Sequence, residues 1–262
     1  MTARVAFDFT GTSVLVTGGT SGIGHGTATL FRDAGAEVTV TGTRAGADDY
    51  DTDLGGMTYR RLRLDDPAAV DEFASGFRQL DVLVNNAGAN FPGGLDESAP
   101  DGFAASVALN LTAPYRLTVG LHPALRAAAS KKAAGGASVV SLSSMSALRA
   151  VTMVPGYGAA KAGIISMTRN LAVKWAGDNI RVNVVCPFAN SEGVQGWSQA
   201  FPDDYGKSLK RVPLQRVGDT HTDIGATVAF LDDERLARVV DHELREHRRC
   251  MIDGCDVDGP FE

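Results

Sequence analysis

Cysteine is scarce: Cys186, Cys250 and Cys255 are the only three. An odd count at spacings that fit no disulfide framework argues against a stapled secreted scaffold and for a reducing compartment, so a cytoplasmic location is expected. An excess of positive charge is missing too. Lys and Arg total 25 against 31 Asp and Glu, a formal net charge of −6. Without a cationic footprint, neither nucleic acid nor an anionic membrane surface is an expected partner. Long hydrophobic runs are also absent. The longest uncharged stretch, 133–148, is interrupted by Gly135, Gly136 and several serines, so no membrane span is expected. Asp8 breaks the apolar stretch near the start, leaving no signal-peptide core. No internal repeat is visible. What remains is ordinary globular material, 44% hydrophobic and 21% charged over 262 residues, enough for one domain spanning 1–262 with a full core. Glycine is the exception: 30 residues, about 11% against roughly 7% in typical proteins, which anticipates tight turns or close ligand approach.

Apolar runs of strand length alternate with helical patterns along the chain. Strands are predicted at 13–17, 37–41, 58–62, 81–84, 138–142 and 181–185, with a weaker one at 250–252. Helices are predicted at 23–34, where Gly35 would end the helix, from Pro67 onward, and over 101–129 and 157–175. This βαβ rhythm implies an α/β fold, a doubly wound parallel sheet with helices on both faces.

Between the first strand and the first helix stands Thr17-Gly18-Gly19-Thr20-Ser21-Gly22-Ile23-Gly24. Glycines at such a turn let the backbone approach a pyrophosphate, whose charge the helix N-terminus favours. Gly18, Thr20, Ser21, Gly22, Ile23 and Gly24 are therefore candidate cofactor contacts. Further on, Tyr157 and Lys161 stand four residues apart on one helix face. A phenol beside an ammonium is expected to ionise more readily, which suits general acid–base work.

With Asn85-Asn86-Ala87-Gly88 after the fourth strand and Pro213-Leu214-Gln215-Arg216-Val217-Gly218 near the end, the sequence resembles the short-chain dehydrogenase/reductase family. That family's fingerprints are TGxxxGxG, NNAG and YxxxK, and the likeness spans most of the chain. The resemblance implies a Rossmann-like single domain that moves hydride between a nicotinamide dinucleotide and a carbonyl or secondary alcohol. It implies Asn86, Ala87 and Gly88 beside the adenosine half and Pro187 near the nicotinamide. Tyr157 would be the proton donor and a cofactor contact, Lys161 the ribose ligand and electrostatic partner, and Ser144 the group that polarises the substrate oxygen. Asn110 would support a proton relay. A strand tip at the carboxyl end of a parallel sheet faces the ligand crevice, a physical reason to favour Ser144; Ser143 is its rival. No metal is required. The alternatives are an NAD-dependent alcohol dehydrogenase and a dinucleotide-binding regulator without turnover. A nucleotide-sugar isomerase or dehydratase would need a larger C-terminal domain.

Several positions depart from the family pattern. Arg63 replaces an acid that meets adenine in many relatives, Phe188 replaces the glycine after Pro187, and Glu192 replaces a threonine for which Ser191 could substitute. A charged insert over about 232–249 contains His242-Glu243-Leu244-Arg245-Glu246-His247. Histidines five apart do not share a helix face as HExxH requires, so a solvated helix is the better reading. The second strand ends Thr41-Gly42-Thr43-Arg44 with no carboxylate for ribose hydroxyls. Arg44, with Thr43 and Ser21, could meet a 2′-phosphate, so NADP(H) is expected over NAD(H). Phe188 to Tyr205, with Trp197 and Phe201, reads as a lid of about 188–212 over a bulky apolar ketone, opposite Phe91, Met145, Met153 and Val154. Small residues on the long helices at 101–129 and 157–175 point to a homo-oligomer, a tetramer with a dimer as the fallback.

Overall fold

The computed structural model describes residues 6–91, 100–131 and 136–233. Six parallel strands, β1 (Ser13–Val16), β2 (Glu37–Gly42), β3 (Thr58–Arg61), β4 (Val82–Asn85), β5 (Ala137–Leu142) and β6 (Ile180–Val185), form one sheet in the order β3-β2-β1-β4-β5-β6. Strand side chains alternate between two cores. Leu15, Leu83, Val139 and Val182 face one, while Val14, Val16, Val40, Val84 and Val140 face the other. Both faces are therefore apolar and each needs a helical cover.

Helix α1 (Gly22–Asp33) covers the second core through Ala28, Leu30 and Phe31, and Gly35 follows its end as expected. Helix α2 (Pro67–Ser75) starts at Asp66, whose carboxylate accepts from the amides of Ala68 and Ala69, and it buries Val70 and Phe73 in the first core. The single long helix predicted over 101–129 is instead interrupted. It comprises α3 (Pro100–Val107), a wide π turn at Ala108–Thr112, α4 (Ala113–Gly120) and α5 (His122–Ala129). Proline explains both breaks: Pro114 and Pro123 offer no amide to the carbonyls of Asn110 and Val119 and crowd them. Helix α6 (Pro155–Trp175) is continuous and buries Ile164, Met167, Leu171 and Trp175 in the first core.

After β6 the segment read as a lid holds two short helices rather than one continuous helix. Helices α7 (Glu192–Ala200) and α8 (Pro202–Leu209) meet at Phe201, and Gly193 and Gly196 lie inside α7. The break falls at Pro202, whose fixed φ suits a helix start. A second π turn, Thr220–Gly225, leads into α9 (Ala226–Asp232), which adds Val228 and Ala229 to the second core. The predicted strand at 250–252, the His242–His247 segment and nearly all of the charged insert lie outside the described residues. Among the described residues, no helix is long and apolar enough to cross a membrane.

Candidate active site

The strand order reverses between β1 and β4, so their carboxyl ends open a crevice. The glycine loop lies there. Gly18 and Gly22 adopt left-handed φ values of 63° and 51°, conformations that side chains resist. A Cβ on Gly24 would come within 2.2 Å of the Gly18 carbonyl oxygen. Ser21 caps α1 in an extended conformation but its hydroxyl takes none of the helix's first amides. Those amides, with no intrahelical acceptor, remain available to an anion that the helix dipole favours. Thr20 is buried, and its carbonyl accepts from Thr52 Oγ1 at 2.7 Å.

Asn86 fastens this loop to β4. Its Nδ2 donates to the carbonyls of Thr17 (2.8 Å) and Gly18 (3.0 Å), while Thr17 Oγ1 accepts from the amides of Asn86 and Ala87. The cradle fits a dinucleotide pyrophosphate: a glycine-lined turn, held in shape from the next strand, facing a helix N-terminus.

At the tip of β5, Ser143 and Ser144 point to different tasks. Ser143 is buried and donates to the Lys161 carbonyl at 2.8 Å, a strut between β5 and α6. Ser144 is half-buried, and its hydroxyl interacts with the Tyr157 phenol. Tyr157 and Lys161 share one face of α6, with Lys161 Nζ 5.5 Å from the centroid of the phenol ring. The ammonium itself donates to the Leu142 carbonyl at 2.8 Å. Burial pushes Lys161 down to about 8, opposed by Cys186 at the end of β6. Burial likewise holds Tyr157 above the usual phenol value, with the Ser144 hydroxyl pulling the other way. The expectation that Lys161 lowers Tyr157 is thus corrected: desolvation dominates, and the ammonium's hydrogen bond goes to the Leu142 carbonyl, with its charge beside the phenol ring.

Asn110 lies in the π turn and is fully buried. The Ala113 amide donates to the Ala108 carbonyl, the widened i to i−5 bond. The Asn110 side chain accepts from the Ala89 amide at 3.1 Å and donates to the carbonyls of Ala89 (2.9 Å) and Ser106 (3.0 Å). A Cβ on Gly88 would sit 2.5 Å from Asn110 Oδ1 and 3.5 Å from Lys161 Nζ. Gly88 thus allows β4, the π turn and α6 to converge, and brings Asn110 beside the lysine.

Thr43 and Arg44 are exposed beyond β2. The Arg44 guanidinium lies 4.7 Å over the Tyr50 ring and donates to the Asp49 carbonyl, while its amide donates to Tyr50 Oη at 3.0 Å. Arg63 forms a two-pronged pair with Asp65 on the surface. Pro187 and Phe188 follow β6, and the Phe188 carbonyl accepts from the Gly218 amide at 2.9 Å. Ser191, the candidate substitute hydroxyl, instead caps α7 by accepting from the Val194 amide, with Glu192 exposed as that helix's first residue. Ser191 Cβ would lie 3.5 Å from a Cβ on Gly22, so this segment adjoins the glycine loop. Two residues were silent in the sequence: Tyr50, which nothing near it marks, and Ser146, whose only signal is its place two residues after Ser144 in a helix-capping pattern.

Fold and crevice together define a dinucleotide-binding oxidoreductase. The family described as enoyl-(acyl carrier protein) reductase matches residues 18–244. A 12α-hydroxysteroid dehydrogenase from a Clostridium species is 32% identical over 83% of this chain and 88% of its own. A 3-oxoacyl-(acyl-carrier-protein) reductase from Chlamydia muridarum is 32% identical over 84% and 89%. The solved Pseudomonas aeruginosa RhlG/NADP active-site complex superposes with a TM-score of 0.75 at 26% identity, covering 88% of this chain and 92% of that one. The chain belongs to the short-chain dehydrogenase/reductase family and is an enzyme acting on CH–OH or C=O groups.

Proposed function

We propose that the protein is an NADPH-dependent reductase of bulky, largely apolar ketones. The observation that carries the reading is the meeting of the Ser144 hydroxyl, the Tyr157 phenol and the Lys161 ammonium at the carboxyl edge of the sheet, beside the glycine loop. The dinucleotide supplies the hydride when bound; Gly18, Ser21, Gly22 and Gly24 would cradle its phosphates and Lys161 its ribose. Ser144 donates to the substrate oxygen and stabilises the charge that develops there. Tyr157, a phenol that is protonated at neutral pH and that burial raises further, gives its proton to that oxygen. Lys161 carries positive charge toward the phenolate so formed, and Asn110 fixes the backbone around the lysine.

Two features support NADPH. Arg44 and Arg61 are cations beside the end of β2, and Gly42 there, packed against Tyr50 Oη, carries none of the carboxylate that serves NAD users. The NADP complex of the RhlG relative agrees with this direction. For the substrate, Leu148, Val151 and Met153 are exposed between Ser144 and Tyr157, and Phe201 is exposed at the joint of α7 and α8. Trp197 and Tyr205 pack edge to face at 5.6 Å and join the two helices. The relative named for a hydroxysteroid supports a polycyclic occupant. A panel of ketones assayed with both cofactors tests the reading. Polycyclic or long-chain ketones with NADPH are expected to give the highest kcat/KM, and Arg44→Ala to lower it about 10- to 100-fold for NADPH with little change for NADH. Higher kcat/KM with NADH, or turnover restricted to small charged carbonyls, overturns it.

We propose further that the domain spans 1–262, acts in the cytoplasm and assembles as a tetramer, with a dimer as the smaller alternative. Tyr115 and Val119 on α4 and Val173 on α6 are exposed apolar side chains that support pairing of these helices. Light scattering coupled to size exclusion is expected to give a multiple of the 27.5 kDa chain mass. A monomer at micromolar concentration refutes it.

A further inference from the structure

Ser144 Oγ is a hydroxyl with one proton and two lone pairs. In the short 3₁₀ turn Met145–Ala147, the Ser146 amide donates to Ser144 Oγ at 3.2 Å and the Ser146 hydroxyl donates to the same oxygen at 2.9 Å. The amide contact is an ordinary helix cap, which any residue at 146 except proline can make. The hydroxyl contact depends on serine. Together they occupy both lone pairs of Ser144, so its proton is the one group left to make a bond. The Ser144 hydroxyl favours the ionised form of the Tyr157 phenol, against the burial that raises it. Ser146 is also placed against the helix that carries Tyr157: its carbonyl oxygen would lie 3.0 Å from a Cβ on Gly158, so the turn and the helix approach closely at this glycine.

We propose that Ser146 is a positioning residue that makes Ser144 an obligate donor. By donating into Ser144 Oγ, the Ser146 hydroxyl prevents Ser144 from turning its proton toward 146 and polarises it toward the substrate oxygen, or toward the phenol when no substrate is bound. Hydrogen bonds in a chain strengthen one another when each member donates onward, so the effect reaches the reacting oxygen although Ser146 touches neither substrate nor cofactor. The inference rests on the catalytic reading of Ser144. Were the hydroxyl pair oriented the other way, Ser144 would donate to Ser146 and its proton would be withdrawn from the site. Removing Ser146 would then free Ser144 and speed the reaction.

The two orientations give opposite results for Ser146→Ala. Loss of one neutral hydrogen bond that acts in the transition state is expected to lower kcat about five- to tenfold, with KM for NADPH unchanged. The ultraviolet titration of the Tyr157 phenolate, isolated by subtracting Tyr157→Phe, is expected to move to higher pH, because a weaker donor at Ser144 stabilises the phenolate less. Ser146→Thr, which keeps a hydroxyl, is expected to restore both. An unchanged or raised kcat, a fall in kcat without the titration shift, or a fall that Ser146→Thr does not restore overturns the proposal. Ser144→Ala in parallel separates the two levels of argument. If it retains turnover, the catalytic reading of Ser144 fails; if it loses turnover while Ser146→Ala does not, only the positioning role fails.

Discussion

Tyr157→Phe is expected to lower kcat by about 10²- to 10⁴-fold while leaving dinucleotide binding intact. The substitution removes one oxygen from a half-buried ring and leaves the ring's packing in place, so the fold has little reason to respond. The cradle that would hold the dinucleotide is built from Gly18, Gly22, Gly24 and Asn86 and does not include the phenol. Binding measured by nicotinamide fluorescence separates the two effects. The raised phenol also sets a pH dependence. Carbonyl reduction needs the protonated form, present throughout neutral pH, while alcohol oxidation needs the phenolate and is expected to keep rising into the alkaline range. Near-normal turnover in Tyr157→Phe, or oxidation fastest at acidic pH, removes the tyrosine from the mechanism.

How much of this was legible in the sequence depends on the range of the interaction involved. The strands came within a residue or so of their observed ends, because Val14, Leu15 and Val16 must each bury a side chain on one face or the other and the run itself records that demand. The glycine loop was legible for the same local reason: Gly18, Gly22 and Gly24 answer to backbone angles and a single close approach. Tyr157 and Lys161 were legible as a pair because four residues is one helical turn. Their charges were not. Local spacing implied that the lysine would lower the phenol, but burial by the surrounding elements outweighs it, and burial is a property of the whole fold. The π turn at Asn110 needed Pro114 to be weighed against a strongly helical neighbourhood. Tyr50 was invisible because its partners, Arg44 and Gly42, meet it only when the segment after β2 folds back.

Lys161→Met is expected to stabilise the dinucleotide-free protein at neutral pH while reducing kcat by at least about a hundredfold, since the charge facing the phenolate is gone. Burial lowers the lysine from 10.5 to about 8, so between those values the unfolded chain binds the proton that the folded protein has released. Stability therefore rises with pH through that window, and below pH 8 the whole cost of burying the charge is present. A shift of this size corresponds to roughly 3 kcal/mol. Methionine removes that cost but leaves the Leu142 carbonyl without its donor, a loss of about 1–2 kcal/mol. The balance favours the variant by about 1–2 kcal/mol, enough to raise Tm by roughly 2–8 °C. Its advantage is expected to shrink between pH 8 and 10.5, as the native lysine loses its proton and the cost disappears. Thermal unfolding of both proteins at pH 7 and pH 10 checks this. A variant less stable at pH 7, or an advantage that grows with pH, means that the ammonium stabilises the fold. The stable variant expected here would instead mark Lys161 as a charge the fold holds at a cost for the sake of the reaction.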